Sequence, residues 1–178
     1  MFTSIAIIGR PNVGKSTLFN KLTKTREAIV SNFYGLTKDR NYGFINFKDK
    51  KAFLIDTGGI SNDTDSMSEA IAKQAWMAVE ESELVIFLLD GSEHINNLDF
   101  EIITKLRKLN KKFYTALNKV DKKSQSTLKE DLKKNGIKNF IEISAEHSIN
   151  LNNFKSLIEE NISNPTFEIP EGKKVAVL

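Results

Sequence analysis

The chain has 178 residues, 40% apolar and 28% charged, with a formal net charge of +3. This globular composition excludes a disordered or coiled-coil protein, and the mild Lys excess, spread along the chain, predicts a soluble surface with little affinity for polyanions. There is no cysteine, which excludes thiol chemistry, cysteine-ligated metals and disulfides. The longest apolar run, Leu84 to Leu89, is too short to span a bilayer, and the first strand begins too early to leave room for a signal peptide, so a cytoplasmic protein is expected.

Taken in order, Ile5 to Ile8 is an apolar, β-branched run of the kind found in strands buried on both faces. Gly9 breaks it and opens the pattern Gly9-x-x-x-x-Gly14-Lys15-Ser16, followed by a helix over Ser16 to Lys24 with Leu18, Phe19 and Leu22 on its inner face. Arg26 to Arg40 has no periodicity and reads as a long loop. Tyr42 to Phe47 and Ala52 to Ile55 read as a hairpin about Lys48-Asp49-Lys50-Lys51, and Asp56-Thr57-Gly58-Gly59-Ile60 closes its second strand. Beyond the polar stretch Ser61 to Ser68, a helix is expected over Ser68 to Glu80 and a buried strand over Leu84 to Leu89. Leu98, Ile102, Leu106 and Leu109 mark another helix, and Phe113 to Leu117 another strand, which Asn118-Lys119-Val120-Asp121 ends. A Lys-rich helix holding Leu128 and Leu132 stops at Gly136. Phe140 to Ile143 is the last core strand, Ser144-Ala145 follows, and Leu151, Phe154, Leu157, Ile158 and Ile162 stripe the final helix.

Strands alternating with helices predict an α/β fold, doubly wound, with a mostly parallel six-stranded sheet and one antiparallel strand. In such folds ligands lie at the carboxyl ends of the strands, and each of these motifs, from the glycine-rich loop to Ser144-Ala145, follows a strand end. The expected organisation is a first domain over 1–162, a linker over 163–172 with two prolines and a glycine, and over 173–178 the opening strand of a truncated second domain. That last expectation rests on Val175-Ala176-Val177-Leu178, which repeats the pattern of Ile5-Ala6-Ile7-Ile8.

The chemistry of Gly9, Arg10, Pro11, Asn12, Val13, Gly14, Lys15, Ser16 and Thr17 is that of a phosphate-binding loop. Glycines let backbone N–H groups approach phosphate oxygens, and the helix that follows points its free N–H groups at the same anion. Lys15 would lie across the β- and γ-phosphates, and the Ser16 hydroxyl would hold Mg²⁺.

In this order, the phosphate loop, Thr37, Asp56-x-x-Gly59, Asn118-Lys119-Val120-Asp121 and Ser144-Ala145 resemble the motifs of the small GTP-binding proteins. The resemblance implies a P-loop fold of the small-GTPase kind. It implies Mg²⁺ held by Ser16, Thr37 and a water on Asp56, and a γ-phosphate met by Thr37 and the Gly59 N–H, with Thr57, Gly58 and Ile60 beside them. It gives base recognition to the second group of motifs. The Asp121 carboxylate accepts both donors of a guanine edge, Lys119 covers the base, Asn118 ties the loops together beside Val120, and the Ala145 N–H meets O6 next to Ser144. Adenine would leave the Asp121 carboxylate unpaired, which argues against the alternative of an ATP-using phosphotransferase. A GTP-gated binding module with incidental hydrolysis is the other alternative.

Gly9 to Leu18, Gly35-Leu36-Thr37-Lys38-Asp39-Arg40, Asp56 to Ile60 and Ser144-Ala145-Glu146-His147 further resemble the first G domain of the Der (EngA) family of bacterial double GTPases. This implies GTP and GDP as ligands and a GTPase with slow turnover acting on the large ribosomal subunit precursor and its rRNA. It also implies a second G domain and an RNA-binding-type C-terminal domain elsewhere in the protein. That family often has glycines where this chain has Ser148 and Asn150. Ile60 stands where many GTPases have a water-orienting Gln, so another group must position the water. Asn12 stands where related GTPases bind K⁺, which implies K⁺-stimulated hydrolysis. His94, His147, Trp76 and the Lys122 to Lys134 segment are read as surface or packing residues.

Overall fold

A computed structural model describes residues 3–23, 41–48, 50–61, 64–122 and 127–162. The long loop over 26–40 with Thr37, the linker over 163–172 and the strand over 173–178 lie outside the described residues. The described elements are β1 (Thr3–Ile8), α1 (Lys15–Thr23), β2 (Asn41–Asn46), β3 (Lys51–Asp56), α2 (Ser66–Glu81), β4 (Leu84–Asp90), α3 (Asn97–Lys108), β5 (Phe113–Asn118), α4 (Leu128–Lys134), β6 (Phe140–Glu142) and α5 (Leu151–Glu160). One six-stranded sheet runs β2-β3-β1-β4-β5-β6, with only the β2–β3 pairing antiparallel.

The apolar runs dictate this arrangement. Side chains alternate across a strand, so a strand buried on both faces needs apolar residues at every position. Ile5 and Ile7 therefore join Leu18, Leu22 and Phe154 in one core, while Ala6 and Ile8 join Val79, Ile102 and Leu106 in the other. β4 divides the same way: Leu84, Ile86 and Leu88 on the first face, Val85, Phe87 and Leu89 on the second. Each fully buried aliphatic contributes about 1.5–3 kcal/mol relative to exposure.

Local chemistry sets the helix starts. α2 begins at Ser66, ahead of the expected Ser68, because the Asp65 carboxylate accepts the Met67 and Ser68 N–H groups at 3.0 Å each. Asn96 and Asp99 form a reciprocal capping box at the start of α3. Among the described residues, no helix is long and apolar enough to cross a membrane.

The connections of β1 and β4 leave in opposite directions, β1 to α1 against one core and β4 to α3 against the other. These neighbours thus open a crevice at their carboxyl ends, the usual ligand position in a doubly wound sheet.

Candidate functional site

The phosphate loop turns at the end of β1 and runs into α1, whose first turn closes with the Leu18 N–H donating to the Gly14 carbonyl at 2.9 Å. Gly14 has φ +98, and a Cβ there would lie 2.3 Å from the Asn118 amide nitrogen, so backbone conformation and close approach both require glycine. Asn12 is left-handed at φ +63. Val13 is buried, whereas Pro11, Asn12, Ser16 and Thr17 are exposed. Lys15 is 6% exposed and donates to the Arg10 carbonyl at 2.7 Å. Burial pushes its ammonium down to about 8, with Asp56 pulling the other way.

Asp56 ends β3 in register with Ile7 of β1. One of its carboxylate oxygens is buried without a hydrogen-bond partner. Burial pushes its carboxyl up, and the nearby Ser16, Asn41 and Lys15 oppose the rise. A buried carboxylate oxygen lacking a donor fits a hard cation. The Thr57 hydroxyl donates to the Ile7 carbonyl at 2.6 Å and the Ile60 N–H to the Gly9 carbonyl at 3.2 Å, which fastens this segment to the phosphate loop. Gly59 packs so closely on Pro11 that a Cβ would stand 2.6 Å from its Cα, and a Cβ on Gly58 would meet Ile71. The Ile60 side chain packs with the α2 core.

Asn118, at the end of β5, connects three segments. Its amide donates to the Val13 carbonyl at 2.8 Å, and its side-chain oxygen accepts the Ala145 N–H at 2.9 Å. The Ala145 N–H expected at the base edge is thus engaged, and a guanine O6 would have to share it. Lys119, left-handed at φ +64, donates to the Asn12 carbonyl at 2.7 Å. The Val120 N–H reaches the Ile143 carbonyl at 3.3 Å. A hydrogen bond from Ser144 holds the Asp121 carboxyl below the usual carboxylate range, and His147 stands 3.6 Å away. Ser148 and Asn150, where glycines were expected from the resemblance, are left-handed at φ +59 and +58. The loop keeps a glycine-type path without glycine, and the Ser144–Ile149 backbone pair closes it.

The structure thus brings the phosphate loop, Asp56 to Ile60, Asn118 to Asp121 and Ser144-Ala145 to one crevice; Thr37 lies outside the described residues. Sequence reasoning missed the carboxylates that hold the cations of these loops. The Arg10 guanidinium reaches Asp99 at 2.8 Å and Glu93 at 3.1 Å, and Asp90 reaches Lys119 at 2.5 Å. One signal was available: Asp90 is a lone carboxylate ending the apolar run of β4.

This fold, with a phosphate loop and an Asn-Lys-x-Asp loop on one crevice, defines the P-loop GTPase class. Residues 4–119 match the 50S ribosome-binding GTPase family, and the chain belongs to that family. It is 40% identical over 174 residues to GTPase Der of Saccharophagus degradans, covering 98% of this chain and 37% of that protein. It is 49% identical over 121 residues to GTPase Der of Teredinibacter turnerae, covering 68% of this chain and 26% of that protein. The chain therefore spans little more than a third of the length of such relatives at most. Among solved structures, Era of Aquifex aeolicus bound to GDP and aluminium fluoride superimposes with TM-score 0.78 at 28% identity, covering all of this chain and 63% of that one. Era in complex with MgGDPNP and a 16S ribosomal RNA segment gives 0.77 at 30% identity, covering 99% and 59%.

Proposed function

We propose that this chain is a Mg²⁺-dependent GTP-binding and GTP-hydrolysing switch, the first G domain of a longer Der-like protein that acts in large ribosomal subunit assembly. The observation that carries the reading is Asn118, which bonds the phosphate loop at Val13 and the base loop at Ala145. One nucleotide of ordinary length would meet both loops. Lys15 and the N–H groups of the phosphate loop and α1 hold the phosphates. Ser16 and Thr37 would hold Mg²⁺, with the Asp56 carboxylate supporting it. When bound, that metal would supply charge neutralisation on the phosphates. Thr37 and the Gly59 N–H sense the γ-phosphate, and Asp121, Lys119 and Ala145 hold the guanine. The buried Ile60 side chain takes no part in orienting water, which accords with slow turnover, and Asn12 offers a ligand for K⁺.

Residues 1–162 form the G domain in this reading, 163–172 the linker and 173–178 the start of a second G domain. The protein works in the cytoplasm with the large-subunit precursor and its rRNA, alongside its own second G domain and RNA-binding-type C-terminal domain. The match to the 50S ribosome-binding GTPase family and the likeness to Era in complex with ribosomal RNA support the ribosomal role.

Competition against fluorescent GDP tests the site. The wild type prefers GDP to ADP by at least about 10⁴-fold, because adenine leaves a carboxylate unpaired. Asp121→Asn loses GDP and gains XDP, since the amide can donate to the xanthine 2-oxo group. Equal competition by ADP, or unchanged preference in Asp121→Asn, refutes the reading.

A further inference from the structure

We propose that the segment joining β4 to α3 is a brace that sets the phosphate loop against the base loop, with Asp90 and Asp99 as positioning residues for nucleotide binding. The proposal rests on the nucleotide-site reading above. This segment forms the wall of the crevice across from the phosphate loop, because β1 and β4 are parallel neighbours with diverging connections.

Asp90 is the last residue of β4, 4% exposed, and is the register partner of Asn118. Adjacency across the ladder brings its carboxylate to the next residue, Lys119. One Asp90 oxygen accepts the Lys119 ammonium at 2.5 Å, and the other accepts the Ser92 N–H at 2.9 Å and hydroxyl at 2.6 Å. The same ammonium donates to the Asn12 carbonyl at 2.7 Å. Asn12 and Lys119 are both left-handed; asparagine tolerates that conformation, whereas lysine keeps it only where the surroundings hold it. The Lys119 ammonium ties this strained residue to the phosphate loop at Asn12, and Asp90 fixes that ammonium.

Asp99 grips the other end of the loop. Its side chain has no exposure; one oxygen accepts Arg10 Nε at 2.8 Å and the other the Asn96 N–H at 3.1 Å. Glu93 takes a second guanidinium nitrogen at 3.1 Å. An amide at position 99 would still accept the Asn96 N–H, so capping alone does not call for a carboxylate. Its charge is matched by Arg10, whose carbonyl receives Lys15. Full burial of a carboxylate is unfavourable unless it is paired. The pairing with Arg10 secures the backbone that presents the phosphate-binding lysine.

The test is release of fluorescent GDP from the purified chain, with circular dichroism and thermal unfolding run on every variant. Asp90→Asn and Asp99→Asn each speed release about tenfold, as expected for loss of a charge-assisted hydrogen bond that orders the site. Arg10→Gln speeds release similarly, and the Asp99→Asn/Arg10→Gln double variant releases no faster than Arg10→Gln alone. Glu93→Gln, at a carboxylate 56% exposed and so without consequence for folding, gives about a twofold acceleration and keeps a reading available if an aspartate variant does not fold. Wild-type release rates across the variants, or an Asp99→Asn effect of equal size in both Arg10 backgrounds, overturn the brace alone. A wild type that holds no guanine nucleotide overturns the site reading and the brace with it.

Discussion

Lys15 is a buried cation of the crevice. Its ammonium is pushed down to about 8 by burial, although Asp56 stands nearby. Phosphates placed against it favour the charged form and raise that value. The sign follows: below about pH 8 the lysine is already charged and nucleotide affinity is flat in its contribution. Above that, binding must take up a proton, and affinity falls by up to about tenfold per pH unit until the bound-state value is reached. Calorimetric titration of GDP at pH 9, in two buffers of different ionisation enthalpy, should show net proton uptake. No buffer dependence would mean that the lysine is charged before binding.

At the scale of elements, the base loop between β6 and α5 has a left-handed Ser148 and a left-handed Asn150 in close succession. Asn150 satisfies its own side chain, donating to the Glu142 carbonyl and accepting from Asn153 at 2.8 Å each, and asparagine tolerates this conformation. Among the described residues, the Ser148 side chain has one exposed bond, from Lys21 at 3.3 Å. Ser148→Gly should therefore stabilise the chain by about 1 kcal/mol, the strain relieved less the entropy of the added glycine. Asn150→Gly should gain nothing. Urea unfolding of both variants checks the contrast, and equal effects would refute it. These conformations could not be read from Ser148 and Asn150 themselves. The helices and strands could, because Ile5 to Ile8 and Leu84 to Leu89 are apolar at every position and the stripes of α3 and α5 recur at helical spacing. Phosphate-loop and Asn-Lys-x-Asp spacing likewise pointed to the crevice. Asp90 stood out only as a lone carboxylate ending β4, and its partner, like that of Asp99, was hidden, because these partners lie 29 and 89 residues away, a distance that no local pattern spans.

At the scale of the whole molecule, hydrolysis would need several segments to meet one nucleotide, and the K⁺ proposed at Asn12 is the component open to direct test. If K⁺ bridges the phosphates there, GTP turnover should be faster in potassium than in sodium chloride at equal ionic strength, with GDP affinity little changed. Equal rates in the two salts would remove K⁺ from the proposal. The sheet order bears on this molecule's life before it is folded. β4 is buried at every position between β1 and β5, and Leu-Val-Ile-Phe-Leu-Leu is the kind of uncharged segment that stacks with copies of itself in amyloid-like fibrils. Glu81 and Glu83 before it and Asp90 after it act as gatekeepers: chains emerging together from synthesis would repel one another at both ends of the segment until the neighbouring strands enclose it.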